Sequence, residues 1–409
     1  MQGLDIYIHA YDGICALGKG RDALSSALLG SSFPSNTAIV ESHLSGQQVM
    51  YLGAVAPEYL AIDGLPQNTP EQFKNTNNAL IHQVFLAIQS EWQKMSVDVP
   101  NHRVAVILGS SNAGIAAGEQ AIAAVEHKGS LPSQYQYQQQ EYGNPALFLS
   151  WLLGSRGPAY TISTACSSSA KAFISGARLL QQNLCDLAVV GGADVLSQLT
   201  ANGFLSLEAV DGGRCQPFAA QRKGIHLGEA AALFVLSREP SNMRLSGWGE
   251  ASDAYHMAAP QPDGLGAEQS MRHALSSADL SASQIDYLNL HGTATAQNDA
   301  MEAQAVSRIF ADTHTQMSST KPLTGHTLGA AGAIEAMLCC LTLSQSQTSD
   351  TPHKMALPIH WVEGEMDAAL PKLSFVTRDA RHVPNISHVM SNSFGFGGSN
   401  ASLIFSRGV

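Results

Sequence analysis

Short apolar runs that end in glycine or small polar residues alternate with alanine-rich stretches along the first part of the chain. The runs HRVAVILGSS, YTIST, CDLAVVGGAD and AALFVLS are short and bounded in the way that is typical of buried strands. The alanine-rich stretches between them have the composition of helices. Strands that alternate with helices predict an α/β fold, in which helices cover the faces of a sheet.

A second series of such segments follows the polar stretch REPSNMRLSG. It comprises IDYLNLHGT, GAAGAIEAMLCCLTL and HVMSNSFGFGGSNASLIF. Apolar strands that end in glycine occur in both series, which suggests an internal duplication. We therefore predict two halves, residues 1–240 and 241–409.

Charge and cysteine usage argue against several classes of function. A formal net charge of −11 disfavours nucleic acid and anionic membrane surfaces as partners. The six cysteines are dispersed without CxxC spacing, so neither a zinc site nor a disulfide framework is indicated. No apolar run reaches the ~18 residues of a membrane helix, and the N-terminus lacks the pattern of a signal peptide. We expect a cytoplasmic protein that does not bind membranes.

The stretch YTISTACSSSAKAFISGARLL, residues 160–180, holds one cysteine between two predicted elements. Residues 160–164 suit a buried strand, and no proline or glycine follows Cys166 until Gly176, so a helix is predicted there. The first turn of a helix has unpaired N–H groups, which favour a thiolate and can stabilise a neighbouring oxyanion. Cys166 is thus a candidate nucleophile, and the alternative is a small buried apolar residue.

Three further stretches combine glycine with polar residues in apolar surroundings. They are LNLHGTATAQNDAMEAQA with His291, KPLTGHTLGAAGAIEAML with Lys321 and His326, and SNSFGFGGSNAS around Phe396. Singly, each has an ordinary explanation, since a lone histidine is commonly structural and a glycine-rich corner permits close packing. The glycine-rich turn is not a G-x-G-x-x-G fingerprint, so a dinucleotide site is not indicated.

The four stretches, in this order and at these spacings, resemble the β-ketoacyl-acyl carrier protein synthases, which are elongating condensing enzymes of the thiolase fold. The stretches CQPFAAQRKGIHLGEAAALFVLS and ASDAYHMAAPQPDG extend the resemblance through most of the chain. It implies an α/β, thiolase-like fold: a duplicated five-layer αβαβα sandwich. The N-terminal half would carry the nucleophilic cysteine and the C-terminal half both catalytic histidines.

The resemblance also implies the site. The expected catalytic residues are Cys166, His291, His326, Lys321 and Glu302. Asp299 and Glu302 match the paired acidic positions after the first histidine, and Lys321 is expected to orient His326 and to pair with Glu302. The oxyanion hole is expected at the backbone N–H groups of Cys166 and Phe396. The expected substrate-binding residues are Thr293, Thr295, Asn112 and Phe394.

A cysteine with two histidines implies decarboxylative elongation, because two neutral imidazoles can donate N–H groups to the enolate that a malonyl thioester forms when it loses CO₂. The implied enzyme is an acyltransferase that condenses an acyl thioester with malonyl-acyl carrier protein through an acyl-cysteine. The alternative is a non-catalytic subunit like the chain-length factors, which generally lack the cysteine.

The resemblance implies an acyl carrier protein as partner, and either a homodimer or a heterodimer with a chain-length factor. No metal or organic cofactor is required. A structural monovalent cation is possible at Asn289, Glu335, Ser391 and Asn392.

The acyl substrate stays open at this stage. Asn112 matches the region that lines the acyl pocket, where fatty-acid enzymes usually have glycine or an aliphatic residue. A polar side chain there argues against a long saturated chain, unless Asn112 turns away and bonds its own backbone in the GSSNAG turn. Fatty-acid elongation and type II polyketide elongation, including the aryl-polyene type, are both compatible with the sequence.

Overall fold

The computed structural model describes residues 5–34, 39–43, 49–345 and 354–408. The strands are β1 Ile6–Cys15, β2 Gly18–Lys19, β3 Ile39–His43, β4 Val49–Gly53, β5 Val104–Gly109, β6 Ala159–Ile162, β7 Leu187–Asp194, β8 Leu227–Gly228, β9 Ala230–Ser237, β10 Met243–Ser252, β11 Tyr287–Asn289, β12 Gln316–Ser318, β13 Met355–Ala356, β14 His382–Val383, β15 His388–Gly395 and β16 Ser399–Arg407. The helices are α1 Arg21–Leu28, α2 Thr76–Ser96, α3 Ile115–Lys128, α4 Asn144–Leu153, α5 Ser168–Gln181, α6 Gln198–Ser206, α7 Leu265–Ala278, α8 Ala296–Phe310, α9 Lys321–Thr324 and α10 Ala331–Leu343.

The strand order shows that the fold is duplicated. Among the described residues, the strands are hydrogen-bonded in the order β12-β11-β15-β16-β10-β1-β9-β7-β5-β6. The antiparallel pair β10–β1 divides this path into two groups of five. In chain order the groups are β1, β5, β6, β7, β9 and β10, β11, β12, β15, β16. In each group, the second strand along the chain is parallel to the third and fourth, and the fifth is antiparallel to the fourth and first. The predicted duplication is confirmed, whereas the boundary at residue 240 stays a prediction.

The helices form three layers around these two groups of strands. Helices α2 and α4 pack on the N-terminal group, and α7 packs on β10 and β16 with α8 beside it. Helices α5 and α10 pack on each other and on strands of both groups, so they form the central layer. The result is the predicted αβαβα sandwich. None of the described helices combines the length and the apolar character needed to cross a bilayer.

The two central helices position the functional residues. Every residue of α10 is buried, which explains why its sequence is apolar apart from Glu335 and Thr342. Each central helix follows the third strand of its half: Cys166 lies between β6 and α5, and His326 lies between β12 and α10. The duplication therefore brings the starts of two buried helices together in the middle of the molecule.

Candidate active site

Cys166 lies on a tight turn immediately before α5, as the sequence predicts. The preceding residue, Ala165, has a φ of 52°, a left-handed conformation that is costly for a residue other than glycine. The Ser168 hydroxyl accepts a hydrogen bond from the Thr164 N–H at 2.9 Å, and the Ser168 N–H donates to the Ala165 carbonyl at 3.1 Å. These bonds hold the turn that presents the thiol at the start of the helix.

Two backbone N–H groups point at the thiol of Cys166. They belong to Cys166 and Phe396, the two positions predicted to form the oxyanion hole. Gly395 permits this approach, because a Cβ there would lie 2.8 Å from the Thr164 carbonyl oxygen and 3.3 Å from the Cys166 nitrogen.

The resting side chain of Cys166 is a thiol. Burial raises the pKa of Cys166 to about 11, and the charge of Lys321 and the two backbone N–H groups oppose this rise without cancelling it. The expected stabilisation of a thiolate by the start of the helix is thus outweighed by burial. A reaction in which this thiol acts as a nucleophile must therefore include its deprotonation.

The hydrogen bonds of the two histidines determine where their protons lie. His326 Nε2 is 3.0 Å from Cys166 Sγ, and its Nδ1 accepts the Leu328 N–H at 3.0 Å. His291 Nδ1 is 3.3 Å from Lys321 Nζ, which can only donate. Each ring therefore carries its hydrogen on Nε2.

Both imidazoles are neutral. Burial, followed by the nearby charge of Lys321, lowers the pKa of His291 and of His326 well below the ordinary value. The ligand atoms of Cys166 and the two histidines lie within 4.8 Å of one another, a spacing that could suit a metal ion. However, the Nε2 atoms of these tautomers offer hydrogens instead of lone pairs. The arrangement is suited to stabilising a negatively charged oxygen.

The prediction that Lys321 orients His326 and pairs with Glu302 is wrong. Lys321 is 1% exposed, and its ammonium bonds Glu335 at 2.5 Å and also contacts the backbone carbonyl and Nδ1 of His291. It thus orients His291 and not His326, and pairs with Glu335 and not Glu302. The reason is that α10 places Glu335 beside the lysine, whereas both oxygens of Glu302 already accept backbone N–H groups.

The paired acidic residues hold the loop after β11. Glu302 accepts the N–H groups of His291 at 2.8 Å and Gly292 at 2.7 Å, and Asp299 accepts those of the next two residues at 3.1 Å each. Burial raises the pKa of Glu302 to about 7 and that of Asp299 to about 6. These carboxyl groups fix the backbone that carries His291.

Two cavities meet at Cys166. A cleft of about 510 Å³ is lined by residues that include Cys166, His291, His326, Thr293, Thr295 and Phe394. A second cavity of about 300 Å³ is lined by Ser111, Asn112, Ser163, Ala165, Cys166, Thr200, Phe204, Leu328 and Phe396. A group bonded to Cys166 can thus occupy one cavity while the other admits a second reactant.

Comparisons with known proteins agree with this geometry. A family model described as "Beta-ketoacyl synthase, N-terminal domain" matches residues 75–242, and one described as "Beta-ketoacyl synthase, C-terminal domain" matches residues 243–354. The chain belongs to the β-ketoacyl synthase family.

Curated relatives in this family are bacterial enzymes. The chain is 32% identical over 271 residues to 3-oxoacyl-[acyl-carrier-protein] synthase 2 of Staphylococcus aureus (strain COL), covering 62% of this chain and 63% of that protein. It is 34% identical over 269 residues to the enzyme of the same name from Coxiella burnetii, covering 62% of each. The chain thus spans about 63% of the length of the first of these relatives.

Solved structures of the β-ketoacyl synthase family match almost the whole chain. A ketosynthase (ApeO) from Xenorhabdus doucetiae, solved in complex with its chain length factor (ApeC), is 41% identical with a TM-score of 0.90, covering 99% of this chain and 98% of that one. A β-ketoacyl synthase from Burkholderia phymatum STM815 is 25% identical with a TM-score of 0.84, covering 100% of both chains. These matches show that the predicted thiolase-like fold is correct.

The substrate-binding residues that the resemblance predicts line the two cavities. In the cleft, the hydroxyls of Thr293 and Thr295 are 3.0 Å apart, and the ring of Phe394 lies 5.9 Å from that of His291. Asn112 lines the second cavity. These four residues therefore lie around Cys166 as expected, and their roles stay predictions.

Both polar atoms of the Asn112 side chain bond neighbouring residues. Its amide donates to the Val195 carbonyl at 2.9 Å, and its oxygen accepts the Thr200 hydroxyl at 2.7 Å. The alternative that Asn112 bonds its own backbone in the GSSNAG turn is therefore wrong. An acyl chain in the second cavity would also not pass an amide without partners. The penalty against saturated chains is therefore smaller than an unpaired amide would cause.

The predicted cation position contains oxygens without partners. Asn289 Oδ1, Glu335 Oε2 and Ser391 Oγ are buried and accept no hydrogen bond within the described residues. The fourth residue, Asn392, differs because its Oδ1 accepts the Ser402 hydroxyl at 2.9 Å. Buried oxygens of this kind suit a hard cation, so three of the four predicted side chains fit.

Sequence reasoning missed one buried acid beside the site, Asp194. It ends β7 and accepts hydrogen bonds from the loop that lines the second cavity. The signal was present in CDLAVVGGAD, where an acid closes an otherwise apolar strand.

Proposed function

We propose that this protein is a β-ketoacyl-acyl carrier protein synthase that elongates an acyl chain by decarboxylative Claisen condensation. The observation that carries the proposal is the arrangement of two neutral imidazoles and two backbone N–H groups around one buried thiol. The Nε2–H groups of His291 and His326 lie on the cleft, and the backbone N–H groups of Cys166 and Phe396 point at Sγ. Membership of the β-ketoacyl synthase family supports the same reaction.

In the first half-reaction the thiol of Cys166 attacks the carbonyl carbon of an acyl-carrier thioester. The new carbon–sulfur bond forms as the carrier's thiol leaves with the proton, which gives acyl-Cys166. The tetrahedral oxyanion accepts the backbone N–H groups of Cys166 and Phe396. Each donor of this kind typically lowers the barrier by ~3 kcal/mol.

In the second half-reaction a malonyl-carrier thioester occupies the cleft and loses CO₂. The electron pair of the broken bond forms an enolate, whose oxygen accepts the Nε2–H groups of His291 and His326. The enolate carbon then attacks acyl-Cys166 and a carbon–carbon bond forms as the carbon–sulfur bond breaks. The sulfur of Cys166 leaves as a thiolate and takes up a proton from solvent, since the cycle consumes one proton. Lys321 strengthens the donor character of His291 through its charge.

We also propose that an acyl carrier protein delivers both substrates, as the names of the curated relatives suggest. The ketosynthase from Xenorhabdus doucetiae was solved with a chain length factor, which favours a heterodimer of this kind over a homodimer. Because this chain retains Cys166 and both histidines, it corresponds to the catalytic subunit and not to a chain-length-factor-like one. The cytoplasmic location stays a prediction.

A structural monovalent cation beside Lys321 is part of the proposal. Asn289, Glu335 and Ser391 would hold it and so satisfy their unpartnered buried oxygens. The cation would neutralise charge on Glu335 and stabilise the position of α10. We expect thermal unfolding at a higher temperature in potassium or sodium chloride than in choline chloride of equal ionic strength, and an equal unfolding temperature would contradict the proposal.

Intact-mass spectrometry tests the condensing activity directly. The protein, alone and co-expressed with a chain-length factor, is incubated with acyl carrier proteins bearing saturated, polyunsaturated and aryl chains, and then with malonyl-carrier. We expect an acyl adduct on Cys166 that disappears when the elongated product forms, while Cys185→Ala, at another buried cysteine, behaves as the parent. The preferred chain distinguishes fatty-acid from polyketide elongation, and no adduct with any chain would refute the function.

A further inference from the structure

The carboxylate of Asp194 is fully buried among neutral donors. Ser110 Oγ lies 2.6 Å from it, the N–H groups of Ser111 and Asn112 donate at 2.9 and 2.8 Å, and the Gly329 N–H donates at 2.7 Å. A buried carboxylate without a cationic partner is expensive, so it persists only where its hydrogen bonds hold the surrounding structure in place.

The donors to Asp194 come from two segments with different tasks. Ser111 and Asn112 line the second cavity at Cys166. Gly329 belongs to the turn between His326 and α10. The segments are in direct contact, because a Cβ on Gly329 would lie 2.6 Å from the Ser111 nitrogen and 2.8 Å from Asp194 Oδ2.

Both segments contain a strained residue next to a donor. Ala113 has a φ of 47° and Leu328 a φ of 53°, which surrounding bonds must maintain. Leu328 also donates its N–H to His326 Nδ1, the bond that places the proton of His326 on Nε2. The chain of contacts therefore runs from Asp194 through Gly329 and Leu328 to His326.

We propose that Asp194 is a positioning residue that couples the acyl cavity to His326. Its Oδ1 accepts donors from the loop of Ser110 and Asn112. Its Oδ2 accepts the N–H groups of Ser111 and Gly329, so it joins the two segments. An acyl chain that displaces the loop thereby shifts the turn of His326, which links acyl occupancy to activation of the malonyl unit. This inference rests on the proposed function and identifies how its two half-reactions communicate.

Asp194→Asn separates the two sides of the carboxylate. An asparagine can keep its oxygen toward the three donors at Oδ1, one of which, the Ser111 N–H, is shared with Oδ2. Its amide then faces the Gly329 N–H, which bonds Oδ2 alone. We expect malonyl decarboxylation to fall by about 100-fold, as for a catalytic group misplaced by about 1 Å, while acylation of Cys166 changes less than threefold. A defect confined to folding would not separate the two steps in this way.

Glu229→Gln is the matched control. Glu229 is also buried and accepts two backbone N–H groups, from Val55 and Leu196, but it bonds neither segment of the coupling. We expect both steps in this variant to stay within threefold of the parent. Equal losses in Asp194→Asn and Glu229→Gln would overturn the proposal.

Ser110→Ala decides the question if Asp194→Asn does not fold. It removes one donor to Oδ1 and the bond that Ser110 Oγ accepts from the Ala113 N–H at 2.8 Å. We expect a changed rate ratio between long and short acyl-carriers. An unchanged ratio would overturn the coupling, whereas absence of acylation in the parent would refute the proposed function itself.

Discussion

The loops after the second strand of each half occupy equivalent places in the duplicated fold and are held by the same device. After β5, Asp194 accepts the backbone N–H groups of Ser111 and Asn112. After β11, Glu302 accepts those of His291 and Gly292. In both loops, consecutive donors that would be unpaired inside the protein bond a buried carboxylate.

The two loops differ in what their side chains do. The N-terminal loop is short and polar and lines the second cavity, whereas the C-terminal loop presents an imidazole to the cleft. The same division holds at the central helices, where α5 follows a thiol and α10 follows His326. In the proposed reaction, the N-terminal loop would therefore lie beside the acyl chain, whereas the C-terminal loop would present a group that stabilises the enolate.

Cys166→Ala tests whether the nucleophile of the N-terminal half can be lost without loss of the chemistry assigned to the C-terminal half. Acylation should fall below detection, by at least about 10³-fold, because the nucleophile is lost. Malonyl decarboxylation should persist, since the C-terminal half performs it. The change is nearly volume-conserving, so the fold should be intact by circular dichroism. An acyl adduct on the variant by intact mass would contradict the assignment.

His291→Ala and His326→Ala test the other half. Removing one donor to the enolate should slow malonyl decarboxylation by about 10²–10³-fold, while some acylation of Cys166 persists. Release of CO₂ from malonyl-carrier measures the first step and intact mass the second. If either variant decarboxylated malonyl-carrier at the parental rate, the histidine replaced in it would not stabilise the enolate.

Lys321→Met tests the buried ion pair that supports His291. Loss of the ammonium leaves the buried Glu335 without its lysine partner, so the free energy of unfolding should fall by about 3–5 kcal/mol in urea titrations without potassium or sodium salts. Adding Glu335→Gln should recover part of the loss. Recovery of stability by Glu302→Gln instead would show that Lys321 pairs with Glu302, as expected from sequence.

Glu302→Gln tests the carboxylate that holds the C-terminal loop. Burial raises the pKa of Glu302 from an ordinary 4.5 to about 7, so between these values the folded state binds a proton that the unfolded state has lost. Its contribution to stability therefore falls as pH rises from 4.5 to 7, by on the order of 3 kcal/mol. The stability difference between variant and parent, measured by urea titration across this range, should shift in favour of the variant. A difference independent of pH would contradict the raised pKa.

Asn112→Leu tests the N-terminal loop and should have the smallest effect. It removes the donor to the Val195 carbonyl and the acceptor of the Thr200 hydroxyl, which still accepts the Ser197 hydroxyl. The loss should cost about 1–3 kcal/mol of stability, and Thr200→Val should recover part of it. Because the amide is already engaged, preference for saturated acyl-carriers should change by less than about fivefold. A much larger gain for saturated chains would show that the amide itself opposes them.

The sequence by itself determined the α/β class, the duplication and the turn that carries Cys166. These features depend on local periodicity and on residues close together in the chain, such as the small residues before α5. The set of Cys166, His291, Lys321 and His326 also came from sequence, because their surrounding motifs are specific even though the four residues are far apart.

Only the tertiary structure decided which partner each group bonds. Lys321 pairs with Glu335 because α10 places that carboxylate beside it, and Asn112 bonds Val195 and Thr200, more than 80 residues away. The same holds for the protonation of Cys166, since burial outweighs the local effect of the helix start. Local patterns specify which elements form, whereas hydrogen-bond partners and burial depend on how distant elements pack together, and no local pattern records that packing.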